Sequence, residues 1–580
     1  MQRFPVTPSL RLLRSIVRAR PSLLLVFIGS VLMRNIDCPS ALGQSTQPLQ
    51  HLWEVQPDLG DIWSLPSALP SPPIDLERLA SPHAQERIDT ARLISLHCDR
   101  PGFPNRDQAI EKLLAAINRP EQSTLVRRAI LSAAFAVDDG THDGVFWMRS
   151  REDPDMKIRI QRDLIRWKSK IAIDHWREVV RNPHSPSASV RLALEGLGVV
   201  GTSDDQMMLQ ELLESEETPN EYRWLASTAL GTLRNSGLTP LARKYVDSEF
   251  IDRDLIAVAL LNHHRDDEDA RIVTQVLETG RSPAKRLAAT WLTTHAPQIA
   301  LDQIDSWSTD PDAHFRHLAI RLTAASPTSR GINIASGLLS DEDASIRLAA
   351  RRAILKFALT DRDAVDASIA PLWQGSDPRS LVQAILIDVE LGDASRCSRL
   401  VELLEHPDPE VRMHAAWALR DLALTVPILD QIFAKAAKMT DTLENGTADL
   451  DKSEIIKLSF LLESFGRHRY EPAYNMLTKY IPRNGFRMQN LTRASAIWSI
   501  GQLKKDIDDP SLRAELQDRI TDTPPNNPEN FLVRFACMLA LGEFGFRDNL
   551  DMIIPLADAP PNPLVRAAQW AKDRIENSGK

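Results

Sequence analysis

From about residue 82 onward, apolar and small residues recur at helical spacing, in short stretches cut by acidic or Pro-containing turns. One pattern returns throughout: a turn, an apolar residue, an Arg, then small and apolar residues sharing one helix face. The Arg of each copy is Arg127, Arg159, Arg191, Arg223, Arg286, Arg316, Arg347, Arg412, Arg493, Arg534 and Arg566. The first four are 32 residues apart, Arg286 to Arg316 is 30, Arg316 to Arg347 is 31, and the last step is 32 again. Weaker copies fall near Arg87, Leu255, Leu381 and Lys457. Two or three residues after the Arg stands an Ala, as in Ala193, Ala226, Ala289, Ala319, Ala350, Ala415 and Ala496. Other apolar helical stretches lie between the copies, around residues 110–117, 207–213, 272–277, 334–339 and 400–404. Each copy is therefore a helix pair that buries little alone and must stack on its neighbours. The pattern predicts an all-α chain, a right-handed α-solenoid of about 13–15 pairs.

The turns support this. Asp153-Pro154-Asp155, Asp310-Pro311-Asp312 and Asp341-Glu342-Asp343 stand at the same distance before Arg159, Arg316 and Arg347. Asp caps a helix start and Pro suits its first turn. The Arg one turn further in is placed to pair with an acid of its own or the adjacent repeat, a structural ladder along the stack. The run Asp408-Pro409-Glu410-Val411-Arg412-Met413-His414-Ala415-Ala416-Trp417-Ala418-Leu419 resembles a HEAT repeat of the short, phycobilisome-lyase-like kind, and residues 340–355 resemble another. The resemblance implies a binding scaffold and assigns the ladder Arg residues a structural role. Residues 82–438 read as the regular array, 439–453 as an inserted polar loop and 454–580 as less regular repeats. The stretch 521–529, rich in Pro and Asn, reads as a second loop.

The first residues break the pattern. Residues 1–20 carry five Arg and no acid, residues 23–33 are apolar or small, and Ala41-Leu42-Gly43 is a small-x-small site. That order predicts a signal peptide over residues 1–43, with a short uncleaved anchor as the alternative. The chain is thus expected to be exported, periplasmic or extracellular, and tethered to a membrane only if the signal is kept. Residues 44–81 hold six Pro and read as a stiff linker, with Trp53 and Trp63 as points where it is pinned to the body.

Charge changes the picture further. The 580 residues include 69 Lys and Arg and 78 Asp and Glu, a net −9. Residues 1–43 contain six Arg and one Asp, so without them 63 basic and 77 acidic residues remain, a net −14. A plainly acidic body argues against nucleic acid and for a protein partner. The local exception is Lys157, Arg159, Arg162, Arg166, Lys168 and Lys170 against Asp163 alone, read first as a solvated helix face and second as a seat for an anionic partner.

Few motifs carry chemistry. Gly196, Gly198 and Gly201 fit G-x-G-x-x-G but close a repeat helix, where a dinucleotide site needs a strand before and a helix after. No His is followed by Glu, unlike the iron-binding HEAT enzyme deoxyhypusine hydroxylase, and C-x-x-C-H and G-x-S-x-G are missing. His314 with His317, and His263 with His264, are the weak metal candidates; neither outweighs an ordinary charged turn. Cys98, Cys397 and Cys537 sit in apolar stretches and read as buried thiols. No catalytic residue, cofactor or metal is expected.

One offset stands apart. Five residues after the Arg come Trp291, Arg321, Arg352, Trp417 and Trp498. These are the candidate partner-binding residues, since the resemblance places the second helix of each pair on the concave side and Trp and Arg dominate interface energetics. The bland alternative is that the Trp rings pack between repeats. The expectation is a non-catalytic, exported scaffold binding a protein along its concave face. The rival is an enzyme or chaperone of the bilin-lyase or haem-handling type on the same frame.

Overall fold

Each Arg-bearing stretch is a helix in the computed structural model, and so are the weak copies: Ala84–His97, Arg253–Leu260, Pro378–Leu391 and Lys452–Arg467. The structure describes residues 49–54 and 74–578, apart from short stretches near 101, 121, 152, 250, 327, 448, 486, 508 and 560. The signal expected over residues 1–43, Trp63 and Asp153 lie outside the described residues. Among the described residues there is no strand, and no helix is long and apolar enough to cross a membrane.

The described helices form fifteen pairs in two layers. The Arg-bearing helices are the second members. Ser187–Val200 packs on Asn220–Leu233, and that on Arg253–Leu260; further along, Lys452–Arg467 packs on Asn490–Leu503, then on Phe531–Phe544, then on Pro563–Ser578. First members such as Arg106–Ile117, Ser203–Glu214 and Cys397–Leu403 lie in the other layer, each against its own partner. This is a HEAT-like array.

The local causes are those of the sequence. Ala193, Ala226, Ala289, Ala319, Ala350, Ala415, Ala496, Ala536 and Ala568 have no exposed surface, so neighbouring backbones approach closely on that face. Asp343 accepts from Ser345 N at 2.7 Å and Asp408 from Glu410 N at 2.9 Å, capping two second helices. Pro409 and Pro378 start theirs. Burying a Leu or Ile side chain is worth about 1.5–3 kcal/mol, and most of that surface lies between pairs. The core accordingly runs through the stack as adjoining apolar clusters, from Ile74 to Ile575.

Two boundaries differ from expectation. Residues 439–445, expected to belong to an inserted polar loop, are the last two turns of the helix Val426–Asn445, which ends on Gly446 in the left-handed conformation. The polar composition hides a buried stripe: Ile432, Ala436, Thr440 and Leu443 face inward at helical spacing. Thr440 Oγ1 donates to the Ala436 carbonyl at 2.8 Å and accepts from the Tyr480 hydroxyl at 2.7 Å, so its polar atom is satisfied inside. The second correction is the linker over 44–81. The array starts earlier, with the short 3-10 helix Leu76–Ala80 capped by Asp75, whose Leu76 and Leu79 are buried as the first member of the first pair. Residues 49–54 are not free spacer either, since His51 and Trp53 are buried against the array.

Candidate functional site

Most of the ladder Arg residues bond to the turn before their helix or to the next repeat. Arg316, Arg347 and Arg412 each reach back to two carbonyls of the turn before their helix: Asp310 and Pro311, Asp341 and Glu342, His406 and Pro407, all between 2.7 and 3.0 Å. Five also pair forward with an acid of the next repeat. Arg191 meets Glu221 at 2.5 Å, Arg286 meets Asp312 at 2.6 Å, and Arg412 meets Glu454 at 2.8 Å. Arg316 grips Asp341 with two bonds of 2.7 and 2.9 Å, and Arg493 grips Glu529 with two of 2.8 Å. Glu529 lies in the expected loop after Thr521, so that loop closes on the array. Arg223 bonds the Ser215 carbonyl twice, Arg534 the Ile520 carbonyl, and Arg159 the Ser132 hydroxyl. Arg127 and Arg566 are half-buried.

The candidate partner-binding residues divide. Arg321 and Arg352 are exposed and Trp417 is half-buried. Trp291 and Trp498 are only 5% and 6% exposed, which corrects their assignment to an open face. Trp291 Nε1 donates to the Leu261 carbonyl of the preceding repeat at 2.7 Å. An indole with its N–H used in the stack packs between repeats.

The weak chemical motifs dissolve in the same way. A Cβ on Gly196 would stand 2.6 Å from the Trp176 ring, and one on Gly198 3.0 Å from Ala229 Cα. Those glycines allow close packing inside a helix. His264 is buried and its Nε2 accepts from Leu238 N, while His314 meets the Thr290 hydroxyl and the Arg286 carbonyl. Among the described residues no group of His, Cys, Asp and Glu is arranged to hold a metal ion. Cys98, Cys397 and Cys537 are free and buried. Of the basic group, Arg159, Arg162, Arg166, Lys168 and Lys170 are exposed.

Trp53 pins the linker to the body as expected, but the other side chains around it, which have the most unusual surroundings, were not foreseen. They lie on the second helices of the C-terminal half, where residues 49–54 cross Pro409–Asp421, Lys452–Arg467, Asn490–Leu503 and Phe531–Phe544. Glu463, with no exposed surface, is the centre. Its Oε1 accepts from His51 Nδ1 at 2.5 Å and from Ser495 Oγ at 2.8 Å. Its Oε2 accepts from Leu52 N at 3.0 Å and Arg420 Nη1 at 3.0 Å. A carboxylate is an acceptor only, so His51 carries its proton on Nδ1. Arg420 also donates to the Gln50 carbonyl, holds Asp421 with bonds of 3.1 and 2.9 Å, and stacks on Phe460.

The aromatic groups close over this pair. The His51 ring lies between Trp53 and Phe460, with centroids 5.3 and 4.6 Å away. Trp53 is fully buried, meets Phe535 edge to face, and donates its Nε1 to Ser495 Oγ at 3.3 Å. Residues 51–54 form a tight turn, with Glu54 N on the His51 carbonyl and His51 N on the Glu54 carboxylate. Burial by itself would raise the Glu463 carboxyl; the charges and donors of His51, Arg420 and Leu52 N outweigh it and hold the group below the usual carboxylate range. A signal existed in the sequence, since Glu463 interrupts the apolar run Phe460-Leu461-Leu462 to Phe465. Its partners stand 411 and 412 residues away and carry no local mark.

Residues 397–424 match the family model for an Armadillo/beta-catenin-like repeat. No curated protein matches the chain in sequence. Among solved structures, Kap121p is similar at 13% identity and a TM-score of 0.46, over 87% of this chain and 56% of that one. Kap121p bound to Pho4p gives 12% and 0.41, over 86% and 53%. Importin beta in an ammonium sulfate condition gives 14% and 0.42, over 87% and 72%. The chain spans little more than half the length of the Kap121p structures. With its helix pairs stacked in register, the chain has the fold of a helical-repeat α-solenoid.

Proposed function

We propose that this chain is an exported, non-catalytic scaffold that binds another protein along the face lined by its second helices. One observation carries the reading: that layer already receives a short peptide segment, residues 49–54, through a His51 hydrogen bond to a buried carboxylate, backbone hydrogen bonds and aromatic contacts. A surface that holds one segment by such groups suits protein recognition. The exposed Arg321 and Arg352 and the half-buried Trp417 extend the same layer towards the middle of the array. The acidic charge favours a neutral or basic partner over nucleic acid or an anionic membrane.

A photo-crosslinking residue placed at Arg321, Arg352 or Trp417 in the native host is expected to trap one reproducible protein. The same residue at exposed Met207, in the other layer, should not trap it. Equal trapping from both layers overturns the reading. The absorbance spectrum and metal content of the purified chain are expected to be blank, whereas a stoichiometric chromophore or iron would place the chain with the haem- or bilin-handling rival. Export is tested by N-terminal sequencing of the purified chain, with Gln44 as the expected first residue. A chain still beginning at Met1 in the membrane fraction would favour the tethered form.

A further inference from the structure

The contacts of residues 49–54 are those of a ligand on a receptor. The receptor side is held by the array itself. Glu463 is fixed by Arg420 and Ser495, and Arg420 by Asp421 and the Phe460 ring. Lifting the segment away leaves each of these groups with a partner, so the seat is pre-organised and needs no ordering on binding. The ligand side is read in two ways. Two backbone groups, Leu52 N–H and the Gln50 carbonyl, set the direction and register of the peptide. Two side chains, the His51 imidazole on the buried carboxylate and the Trp53 indole on Ser495 and Phe535, set its identity. Between Glu54 and Ile74 the chain has 19 residues, five of them Pro. The segment is therefore tethered to the array rather than part of a repeat.

We propose that this seat is a peptide-recognition site, that Leu49-Gln50-His51-Leu52-Trp53 is its tethered resident ligand, and that a partner segment with a His two residues before a Trp occupies it in exchange. The inference rests on the scaffold reading above and names the chemistry its partner carries. Aromatic burial supplies most of the affinity. The carboxylate supplies the specificity, because a peptide without the His leaves Glu463 buried with one donor fewer. A short tether presents the resident segment at an effective concentration on the order of mM. A free peptide binding with a Kd of about 10 μM would then appear weakened about 100-fold while the resident segment is in place.

The test uses a fluorescent peptide of residues 47–56 and fluorescence anisotropy. On the chain beginning at Gln44 with His51→Ala and Trp53→Ala, the peptide is expected to bind at least tenfold more tightly than on the unsubstituted chain. A peptide lacking the Trp should not bind, and adding Glu463→Gln should weaken binding at least tenfold. A folded double variant, by circular dichroism, that does not bind the peptide overturns the proposal, and so does equal binding of the Trp-less peptide. If the double variant does not fold, a protease site inserted between Leu65 and Pro66 of the otherwise unchanged chain decides. After cleavage, the released segment should exchange with labelled peptide while the array stays folded. Retention of the segment until the array itself unfolds overturns the proposal, since the segment is then an integral part of the core. Neither assay contains a cellular partner. A negative result here with positive crosslinking at Arg352 removes the seat and leaves the scaffold, and the converse pattern removes the extended binding face and leaves the seat.

Discussion

Burial at single residues gives this array opposing responses to pH. His414 is 3% exposed, and burial, with Arg351 nearby, pushes its imidazole down to about 4 against the favourable bond to the Glu410 carbonyl. An unfolded His titrates near ~6.5. The stability this group contributes is complete above that value and is lost as pH falls through about 4, a change of about 3 kcal/mol. Glu463 acts in the same direction, since its carboxyl is held low and its contribution is lost on acidification. Asp388 acts the other way. Burial pushes it up to about 6 despite two 2.9 Å bonds from Arg396, so its contribution is complete below ~3.9 and is lost as pH rises through about 6. The thermal midpoint is expected to fall between pH 7 and pH 4.5, and His414→Gln should flatten that fall. Asp388→Asn should raise the midpoint at pH 8 more than at pH 5, as melting curves across the range would record. None of this was legible in the sequence, where His414 stands in an ordinary repeat and Asp388 in an ordinary apolar helix.

At the scale of the element, helix identity was legible and helix surroundings were not. The second helices near the C-terminus touch through small residues. A Cβ on Gly466 would lie 2.5 Å from Ser499 Cα, and one on Gly501 2.8 Å from Ala540 Cα. Gly501→Val therefore forces two backbones apart and is expected to cost about 1–3 kcal/mol. Faster hydrogen exchange in Asn490–Leu503 and Phe531–Phe544 would register it. The stretch 439–445 shows why polar composition misled: one inward Thr with both its bonds made inside leaves the helix intact. The period of about 32 residues located every second helix, because an Arg, a cap and an Ala face are local marks. It did not separate Trp291 and Trp498 from Trp417, because burial at that offset depends on what the adjoining repeats place there.

Across the whole molecule, each pair touches mainly its neighbours, so damage should stay local. Asp341→Ala removes the two bonds that Asp341 makes to buried Arg316 and leaves that charge with Glu342 at 3.3 Å and two backbone carbonyls, a loss of about 1.5–3 kcal/mol. Hydrogen exchange is expected to rise in Ala313–Ala325 and Ala344–Ala358 and to stay unchanged in Ser187–Val200. Spread of the effect along the chain would show a cooperative unit larger than the repeat. The sequence by itself determined the all-α class, the pairing and the stack, because in a repeat array these depend on short-range periodicity and nearest neighbours. Only the tertiary structure decided that residues 49–54 are a seated peptide and that Glu463, Arg420 and Ser495 form its receptor. Those contacts join positions 370 to 442 residues apart, and whether the two surfaces meet depends on the geometry summed over every repeat between them.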